Sequence, residues 1–215
     1  MEAPNDLSSM RKSYSRSELS ETTVGSDPIL FFNSWFQEAI EAKEEEPNAT
    51  ILSTAGEDGQ PSARVVLLKG VESEGFVFFT NYESKKGKQL AMNPKAALTF
   101  FWAKTERQIR IQGIVEKISK EESEIYFGSR PRESQLGAIA SNQSAILNSR
   151  EEIESKMKNL TKLWEGQNIP KPENWGGYVL KPNLIEFWQG RVGRLHDRIQ
   201  FELKNGIWKK QRLSP

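Results

Sequence analysis

The feature that most constrains the fold is a run of short strand-like segments with little helix between them. Between residues 49 and 118 these segments are rich in β-branched and aromatic residues, and only the short helical pattern "SKKGKQLAMNP" interrupts them. The segments are "ATILSTA", "SARVVLLKG", "GFVFFTN", "AALTFFW" and "RQIRIQGIVEKIS". Because strands and helices do not alternate regularly, the pattern predicts a mainly β, α+β fold. In it, an antiparallel barrel carries helices on its outside.

An amphipathic helix is predicted ahead of these strands, over "SDPILFFNSWFQEAIEAKEEEP". Ser26 or Asp27 can cap it, and Pro28 suits its first turn. Its apolar residues recur at helical spacing: Ile29, Phe32, Phe36 and Ile40. Residues 1–25 have little apolar surface to bury. We therefore expect a mobile N-terminal arm over residues 1–25 and a single domain over residues 26–215.

Helical patterns return over residues 119–130, briefly after Pro131, and over residues 149–166. Strand patterns end the chain: "GGYVLKP", "LIEFWQG", "DRIQFEL" and "IWKKQRL". The last two are joined by a predicted hairpin turn at Lys204, Asn205 and Gly206.

Composition narrows the classes of function. Thirty basic residues face 29 acidic ones, a formal net charge of +1, so neither a nucleic-acid nor a membrane partner is indicated. With no cysteine and one histidine, disulfides, thiolate catalysis and the usual cysteine or multi-histidine metal sites are excluded. The N-terminal residues lack the apolar run of a signal peptide, and no stretch approaches the ~20 apolar residues of a membrane span. We therefore expect a cytoplasmic protein with no metal.

The stretch "GRVGRLHDRIQFEL" places His196 between Arg194 and Arg198. In an extended chain these three side chains share one face. The opposite face then carries Leu195, Ile199, Phe201 and Leu203, with Asp197 as a polar exception. Two arginines beside an imidazole repel each other unless negative charge lies close to them. Two interpretations stay open: a solvated face with carboxylates nearby, or a face that binds an anion.

Two further basic clusters lie in the predicted barrel. Arg64 and Lys69 bracket an apolar strand. They are either solvated strand ends or ligands of anions. Because their odd spacing puts them on opposite faces unless a bulge intervenes, they could bind two different anions. Ser84, Lys85 and Lys86 open a predicted helix. Their hydroxyl and ammonium groups, with free backbone N–H groups, suit a phosphate, although exposed lysines on a helix are common.

A fourth cluster combines a phenol, a guanidinium and a hydroxyl. Tyr126 and Arg130 lie on one helical face, and Pro131 forces a turn that can bring Ser134 back toward them. Such a set suits a phosphate. Gln143 and Ser144 follow as a further polar pair. Taken together, the clusters indicate a site for two anions, and the residues alone give no sign of which cofactor, if any, is bound.

The sequence resembles the pyridoxamine 5′-phosphate oxidase family over nearly its whole length, from about Arg11 to Pro215. The most specific segments are "SRPRESQ" and "EFWQG" followed by "RLHDR". They are accompanied, in the family's order, by "RVVLLKG", "VFFTNYESKKGKQ", "ERQIRIQG", "NWGGY" and the ending "QRLSP". The resemblance implies an FMN-binding split β-barrel that forms a homodimer with FMN at the subunit interface. It also implies oxidation of pyridoxamine 5′-phosphate or pyridoxine 5′-phosphate to pyridoxal 5′-phosphate, with O2 as acceptor and H2O2 as product.

The same resemblance assigns roles to individual residues. Those implied to bind FMN are Arg64, Val65, Val66, Leu67, Leu68, Lys69, Phe79, Thr80, Lys85, Lys86, Gln108, Gln143, Ser144, Trp188 and Arg198. Those implied to bind substrate are Arg11, Tyr14, Lys69, Tyr126, Arg130, Ser134, Arg194, Leu195 and His196. Among them, Arg194 and His196 are the implied catalytic residues. The reaction that the resemblance implies is a hydride transfer from the substrate to the flavin.

Three positions depart from the family pattern. Lys85 stands where arginine is usual, Phe79 where tyrosine is common, and Ile139 where tryptophan is frequent. The first replaces a bidentate contact by a point charge, so FMN affinity can differ. Two other functions stay open: a flavin reductase-like protein on the same barrel, and a non-catalytic carrier of pyridoxal 5′-phosphate. The presence of both the phosphate cluster and "RLHDR" favours the oxidase.

Overall fold

A computed structural model describes residues 12–215. Helices in this part are α1 (Pro28–Glu41), α2 (Lys85–Met92), α3 (Lys120–Ser129), α4 (Arg132–Ala140) and α5 (Arg150–Leu163). Its strands are β1 (Ala49–Ala55), β2 (Pro61–Glu72), β3 (Gly75–Asn81), β4 (Lys95–Trp102), β5 (Arg107–Lys117), β6 (Trp175–Gln189), β7 (Asp197–Lys204) and β8 (Ile207–Leu213). None of the helices in residues 12–215 has the length and apolar character needed to span a membrane.

The chain divides into two compact units. One unit comprises residues 12–47 together with Thr99–Arg110 and Leu184–Pro215, and the other comprises Asn48–Leu98 and Ile111–Asn183. We call them the terminal unit and the barrel unit. The predicted division into an arm over residues 1–25 and a single domain over 26–215 stays a prediction.

The barrel unit contains the closed antiparallel barrel that the strand pattern predicts. Strand order is β3-β2-β1-β4-β5-β6, and β3 pairs with β6 as well as with β2, which closes the ring. The interior is filled by fully buried apolar side chains, among them Leu52, Phe76, Phe78, Leu98, Ile111 and Leu180. Each such side chain stabilises the fold by about 1.5–3 kcal/mol, so the barrel is a rigid frame for its outer surface.

The terminal unit holds α1, β7, β8 and the adjoining ends of β4, β5 and β6. Asp27 caps α1, because its Oδ1 accepts hydrogen bonds from the backbone N–H groups of Ile29 at 2.8 Å and Leu30 at 3.2 Å. The turn between β7 and β8 has Asn205 at φ 52° and Gly206 at φ 76°, the backbone of a type I′ hairpin. The prediction of this hairpin is confirmed.

Two expectations about the elements are wrong. The buried residues of α1 are Pro28, Phe32, Trp35 and Ala39. Phe32 is therefore the one fully buried member of the predicted stripe, and Ile40 is 45% exposed. The second concerns β6, which is a single strand where two were predicted. Its first part pairs with β3 and its last part with β7. The proline-containing centre changes partners without ending the extended backbone.

The predicted face of Arg194, His196 and Arg198 is also not a strand face. Val192–Arg194 form a 3-10 turn in which Gly193 and Arg194 have φ values of 68° and 63°, and β7 begins only at Asp197. Leu195 is consequently 73% exposed instead of buried. From Arg198 onward the alternation holds, since Ile199 and Phe201 are fully buried, but Leu203 near the hairpin end is again exposed.

Candidate functional site

A basic cavity of ≈600 Å³ lies in the barrel unit. Its lining comes from β2, β3, the first turn of α2, the helices α3 and α4 with the turn between them, the segment before α5 and the start of β6. Eleven residues implied by the family resemblance line it: Val65, Val66, Leu67, Lys69, Phe79, Thr80, Lys86, Tyr126, Arg130, Ser134 and Gln143. The barrel therefore gathers residues that lie as far apart in sequence as Val65 and Gln143 around one space.

Lys86 is the innermost cation of the basic cavity. It is 8% exposed, and its Nζ donates to the Thr80 hydroxyl at 3.2 Å and to Gln143 Oε1 at 3.0 Å. Both partners are neutral, and no carboxylate of residues 12–215 forms an ion pair with Lys86. Burial, with a smaller contribution from the nearby charge of Arg64, lowers its pKa. A buried ammonium without a counter-ion is costly, so the arrangement favours an anionic ligand.

Arg130 is a second cation of this cavity that forms no ion pair within residues 12–215. The backbone leaves the helical region at Arg130, the residue before Pro131, and α4 starts immediately afterwards, as the sequence predicted. Its guanidinium lies 4.7 Å from the ring centroid of Trp175, and its Nη1 is buried with no hydrogen-bond partner in the described chain. Burial lowers its pKa. A donor held by an aromatic ring and left unpaired is suited to a phosphate oxygen.

Three aromatic rings pack in parallel beside Arg130. Phe79 stacks on Tyr126 with centroids 3.9 Å apart and on Trp175 at 5.4 Å. Tyr126 and Trp175 are nearly parallel, at an interplanar angle of 8°. Stacking holds the phenol of Tyr126 in one orientation at the cavity wall. Because Phe79 uses its face for this packing, a tyrosine at the position would add a hydroxyl only at the ring edge.

β2 supplies the apolar side of the basic cavity. Val65 is 64% exposed and Leu67 is 37% exposed, and both line the cavity. The register between β2 and β3 shifts between Leu68 and Gly70, so the bulge that the sequence left open is present at Lys69. Lys69 lines the cavity, whereas Leu68 points into the core at 5% exposure. Exposed apolar groups beside cations suit a ligand with a flat ring and an anionic end.

Arg64 lies on β2 but does not line the basic cavity. Its guanidinium donates to the Leu52 carbonyl at 3.2 Å and to the hydroxyls of Thr54 and Ser62, both at 2.6 Å. Burial lowers its pKa. These acceptors are neutral, so Arg64 adds positive charge near Lys86 without a compensating carboxylate in residues 12–215.

A second cavity of ≈850 Å³ shares Asn81 and Gln143 with the basic cavity. Lys85, Lys88 and Ser144 line it. Ser84, by contrast, is used by the protein itself: its hydroxyl donates to the Asn81 carbonyl at 2.7 Å and accepts from the Gly87 N–H at 3.2 Å as the cap of α2. The predicted helix start is therefore present, but of its polar side chains only the lysines face the cavities.

The terminal unit holds a separate group, the aromatic wall of Tyr14, Trp188 and His196. The ring of His196 lies 4.6 Å from Trp188 and 6.0 Å from Tyr14, and Tyr14 packs edge-on against Trp188 at 5.7 Å. The backbone N–H of Arg191 donates to His196 Nδ1 at 3.1 Å. Mutual packing and this hydrogen bond fix the imidazole ring in place.

The two arginines beside His196 have different environments. Arg198 Nε donates to Glu186 Oε1 at 2.8 Å, and Arg110 pairs with the other oxygen of Glu186, which is 1% exposed. Burial raises the pKa of Glu186, but hydrogen bonds from Arg198 and Arg110 outweigh it, and the pKa is lowered. Arg194 is exposed and has no hydrogen bond or ion pair within residues 12–215. Among the described residues, the charge of Arg198 is therefore compensated and that of Arg194 is not.

Several residues that the family resemblance implies for the site take no part in these contacts, and two residues that do take part were not predicted from the sequence. Gln108 is half-buried on β5, Leu195 is exposed, and Arg11 lies outside the described residues. Glu186 and Trp175 were not singled out from the sequence. A carboxylate between Ile185 and Phe187 in a strand pattern is the signal that marks Glu186, whereas nothing local marks Trp175 as the partner of Arg130.

Comparison with known proteins agrees with this geometry. Residues 36–163 match the family model for pyridoxamine 5′-phosphate oxidase, and residues 175–215 match that for the pyridoxine 5′-phosphate oxidase C-terminal dimerisation region. The chain is 62% identical over 211 residues to pyridoxine/pyridoxamine 5′-phosphate oxidase of Leptospira biflexa serovar Patoc (strain Patoc 1 / Ames), a match that covers 98% of this chain and 100% of that one.

Solved structures show the same architecture. The crystal structure of PhzG from Burkholderia lata 383, in complex with tetrahydrophenazine-1-carboxylic acid, superposes with a TM-score of 0.88 at 31% identity, covering 94% of this chain and 100% of that chain. A pyridoxamine 5′-phosphate oxidase-related, FMN binding protein from Nostoc punctiforme PCC 73102 superposes with a TM-score of 0.69 at 15% identity, covering 86% and 97%. The second likeness shows a shared fold.

Proposed function

Because the chain belongs to the pyridoxamine 5′-phosphate oxidase family, we propose that it oxidises pyridoxamine 5′-phosphate and pyridoxine 5′-phosphate to pyridoxal 5′-phosphate. FMN is the cofactor, O2 the electron acceptor and H2O2 the product. The observation that carries this proposal is the basic cavity, which holds Lys86 and Arg130 without a carboxylate partner in residues 12–215. A site with two such cations suits two phosphorylated molecules.

The residues present fit FMN. The buried ammonium of Lys86 and the exposed Lys85 can take the phosphate, with Gln143 and Ser144 beside them. The strand from Val65 to Leu67 offers an apolar surface for the ring. When bound, FMN supplies the two-electron chemistry that oxidises the substrate. The other residues assigned to it are Arg64, Leu68, Lys69, Phe79, Thr80, Gln108, Trp188 and Arg198.

The chain's own side chains bind and orient the substrate. We assign the substrate phosphate to Lys69, Tyr126, Arg130 and Ser134, which line one cavity. We assign contacts with the pyridine ring to Arg194, Leu195 and His196, and we assign the cover over the substrate to Arg11 and Tyr14. His196 donates a hydrogen bond from Nε2, because its Nδ1 already accepts from Arg191. Arg194 holds the substrate and stabilises charge that develops during its oxidation.

We propose a homodimer in which both copies hold each FMN. The match of residues 175–215 to a dimerisation region supports the dimer. Exposed apolar residues support it as well, since Val192 is 60% exposed and Leu195 is 73% exposed next to Arg194. If FMN joins two copies, removing it weakens the dimer by mass action. Sedimentation of the FMN-free and FMN-bound forms tests this, and a monomer that binds FMN with full affinity contradicts it. A cytoplasmic location stays a prediction from the sequence.

One experiment tests the activity. The purified protein is expected to be yellow, and its flavin absorbance should disappear when pyridoxamine 5′-phosphate is added without oxygen. Unphosphorylated pyridoxamine is the control, because it lacks the group that Arg130 binds. A yellow protein that the phosphorylated vitamers fail to bleach supports a flavin reductase-like activity. A colourless protein that binds pyridoxal 5′-phosphate supports a carrier.

A further inference from the structure

Asp197 interrupts the apolar face of β7, and the proposed function gives it no role. Its side chain is 19% exposed, and Arg212 Nη1 donates to its Oδ1 at 2.7 Å. Its Oδ2 accepts the backbone N–H of Leu19 at 3.1 Å and lies 3.6 Å from Arg191 Nη1. One carboxylate therefore joins strand β8, the turn before β7 and the N-terminal segment.

Arg212 extends this anchor along the segment of residues 12–24, which we call the strap. Its Nη2 donates to the Leu19 carbonyl at 3.0 Å, and its Nε donates to Glu21 Oε1 at 2.8 Å. The hydrogen bond from Arg212 lowers the pKa of Glu21 to about 2, so this carboxylate is charged at neutral pH. The strap also buries Leu19 and Val24, which are 3% and 1% exposed.

A second carboxylate fixes the strap further toward its N-terminus. Glu106 Oε2 accepts the backbone N–H groups of Ser15 at 2.9 Å and Arg16 at 3.1 Å. Its side chain is 10% exposed, and Lys12 Nζ lies 3.6 Å from its other oxygen. A hydrogen bond from a backbone N–H to a charged carboxylate is stronger than one between two neutral groups. Two anchors of this kind therefore restrict the backbone between Ser15 and Leu19.

Tyr14 directly precedes the first anchored N–H. Its ring contacts His196 and Trp188, and it packs so closely on Gly190 that a Cβ added there would lie 2.7 Å from Tyr14 Cβ. The position of Tyr14 beside His196 thus depends on a strap whose backbone is held by Glu106 and Asp197.

We propose that Asp197 and Glu106 are positioning residues, which act by holding the strap so that Tyr14 closes the aromatic wall against the substrate. The substrate contact of Tyr14 rests on the proposed function, whereas the anchoring itself does not. The three residues of "HDR" then have separate roles, because His196 faces the substrate, Asp197 holds the strap, and Arg198 pairs with Glu186.

Limited trypsin digestion tests the anchoring without reference to activity. Trypsin can cut after Lys12 and Arg16, both in the strap. Asp197→Asn should make cleavage there about tenfold faster, because loss of the charge weakens the hold on Leu19 and Arg212. The matched control is Glu202→Gln on the same strand, whose carboxylate pairs with Lys204 and should leave the rate unchanged. Equal rates in wild type, Asp197→Asn and Glu202→Gln overturn the proposal.

A double-mutant cycle tests the link to Tyr14. Asp197→Asn and Tyr14→Ala should each raise KM for pyridoxamine 5′-phosphate about tenfold with a smaller change in kcat, and the double variant should be no worse than Tyr14→Ala. Additive effects on KM contradict the positioning role. If Asp197→Asn does not fold, Glu106→Gln carries the same two measurements. If the wild type fails to oxidise the substrate, the proposed function fails, while the digestion result still decides the anchoring.

Discussion

The backbone N–H of Arg191 donates a hydrogen bond to Nδ1 of His196 at 3.1 Å. A nitrogen that accepts a hydrogen bond carries no proton, so the neutral imidazole has its proton on Nε2. His196 therefore presents a donor to the space in front of the aromatic wall, and it cannot accept a proton at Nδ1 without losing the contact with Arg191. This geometry favours a role in holding the substrate over a role as a base.

His196→Asn tests that role. The asparagine Oδ1 can still accept from the Arg191 N–H, but the ring contacts and the Nε2 donor are lost. We expect KM for pyridoxamine 5′-phosphate to rise about tenfold, with kcat falling less and the pH profile of kcat keeping its shape. Steady-state kinetics over pH 6–9 measure this. A fall in kcat of about 100-fold or more, together with loss of one limb of the profile, indicates proton transfer instead.

Arg130→Ala removes the guanidinium that Trp175 holds in the basic cavity. A charged hydrogen bond to phosphate is worth roughly 1.5–3 kcal/mol, so substrate affinity should fall about tenfold to a hundredfold. FMN content should be unchanged, because we assign Lys85 and Lys86 to that phosphate. Flavin absorbance and anaerobic substrate titration measure the two effects separately. If the variant purifies without flavin and binds substrate normally, the two phosphate assignments are exchanged.

Lys86→Met should have opposite effects on FMN binding and on the stability of the FMN-free fold. FMN affinity should fall at least tenfold, yet the FMN-free variant should be more stable than the FMN-free wild type by about 1 kcal/mol at pH 7, because a buried cation without a counter-ion is gone.

The pH dependence of this difference follows from the lowered pKa of Lys86. Between that pKa and its usual value near 10.5, the unfolded wild type binds more protons than the folded one, so wild-type stability rises with pH. The advantage of Lys86→Met should therefore shrink as the pH approaches 10.5. Urea unfolding at pH 7, 9 and 10 gives the comparison. A variant that is less stable than wild type at pH 7 contradicts the prediction.

The barrel was predictable from the sequence because its signals are local. Alternation in "RQIRIQG" gives buried Ile109 and Ile111, and Pro131 forces the turn that separates α3 from α4. The continuity of β6 was not predictable, because its two halves stay extended by pairing with different strands, β3 and β7, that lie far apart in the chain. Pairing over such distances leaves no signal in a short window of sequence.

The candidate site was also only partly predictable from the sequence. Cations that gather around the basic cavity were found from residue type and family resemblance, but the reason that Arg130 is held there, the ring of Trp175, comes from a residue 45 positions away. The turn at Gly193 and Arg194 was missed because arginine rarely adopts a positive φ, here 63°. As a result, Arg194 and Arg198 were expected to lie on one strand face.

The contrast between these two arginines gives the last prediction. Arg198 compensates the buried carboxylate of Glu186, so Arg198→Ala should lower the free energy of unfolding by roughly 1.5–3 kcal/mol and loosen FMN. Arg194 is exposed and unpaired in the described chain, so Arg194→Ala should change stability by less than about 0.5 kcal/mol. Its kcat/KM should nevertheless fall at least tenfold with FMN retained, because its charge is available to the substrate.

Arg150→Ala is the matched control, since Arg150 is an exposed arginine whose one ion pair within residues 12–215 is with Glu154 on its own helix. It should leave both stability and kcat/KM at the wild-type level. Urea unfolding, flavin titration and steady-state kinetics on the three variants measure every quantity. If Arg194→Ala behaves like Arg150→Ala in all of them, the turn before β7 is only a solvated surface. If Arg194→Ala destabilises the fold as much as Arg198→Ala, its charge is compensated in the assembled protein and is not free to act on the substrate.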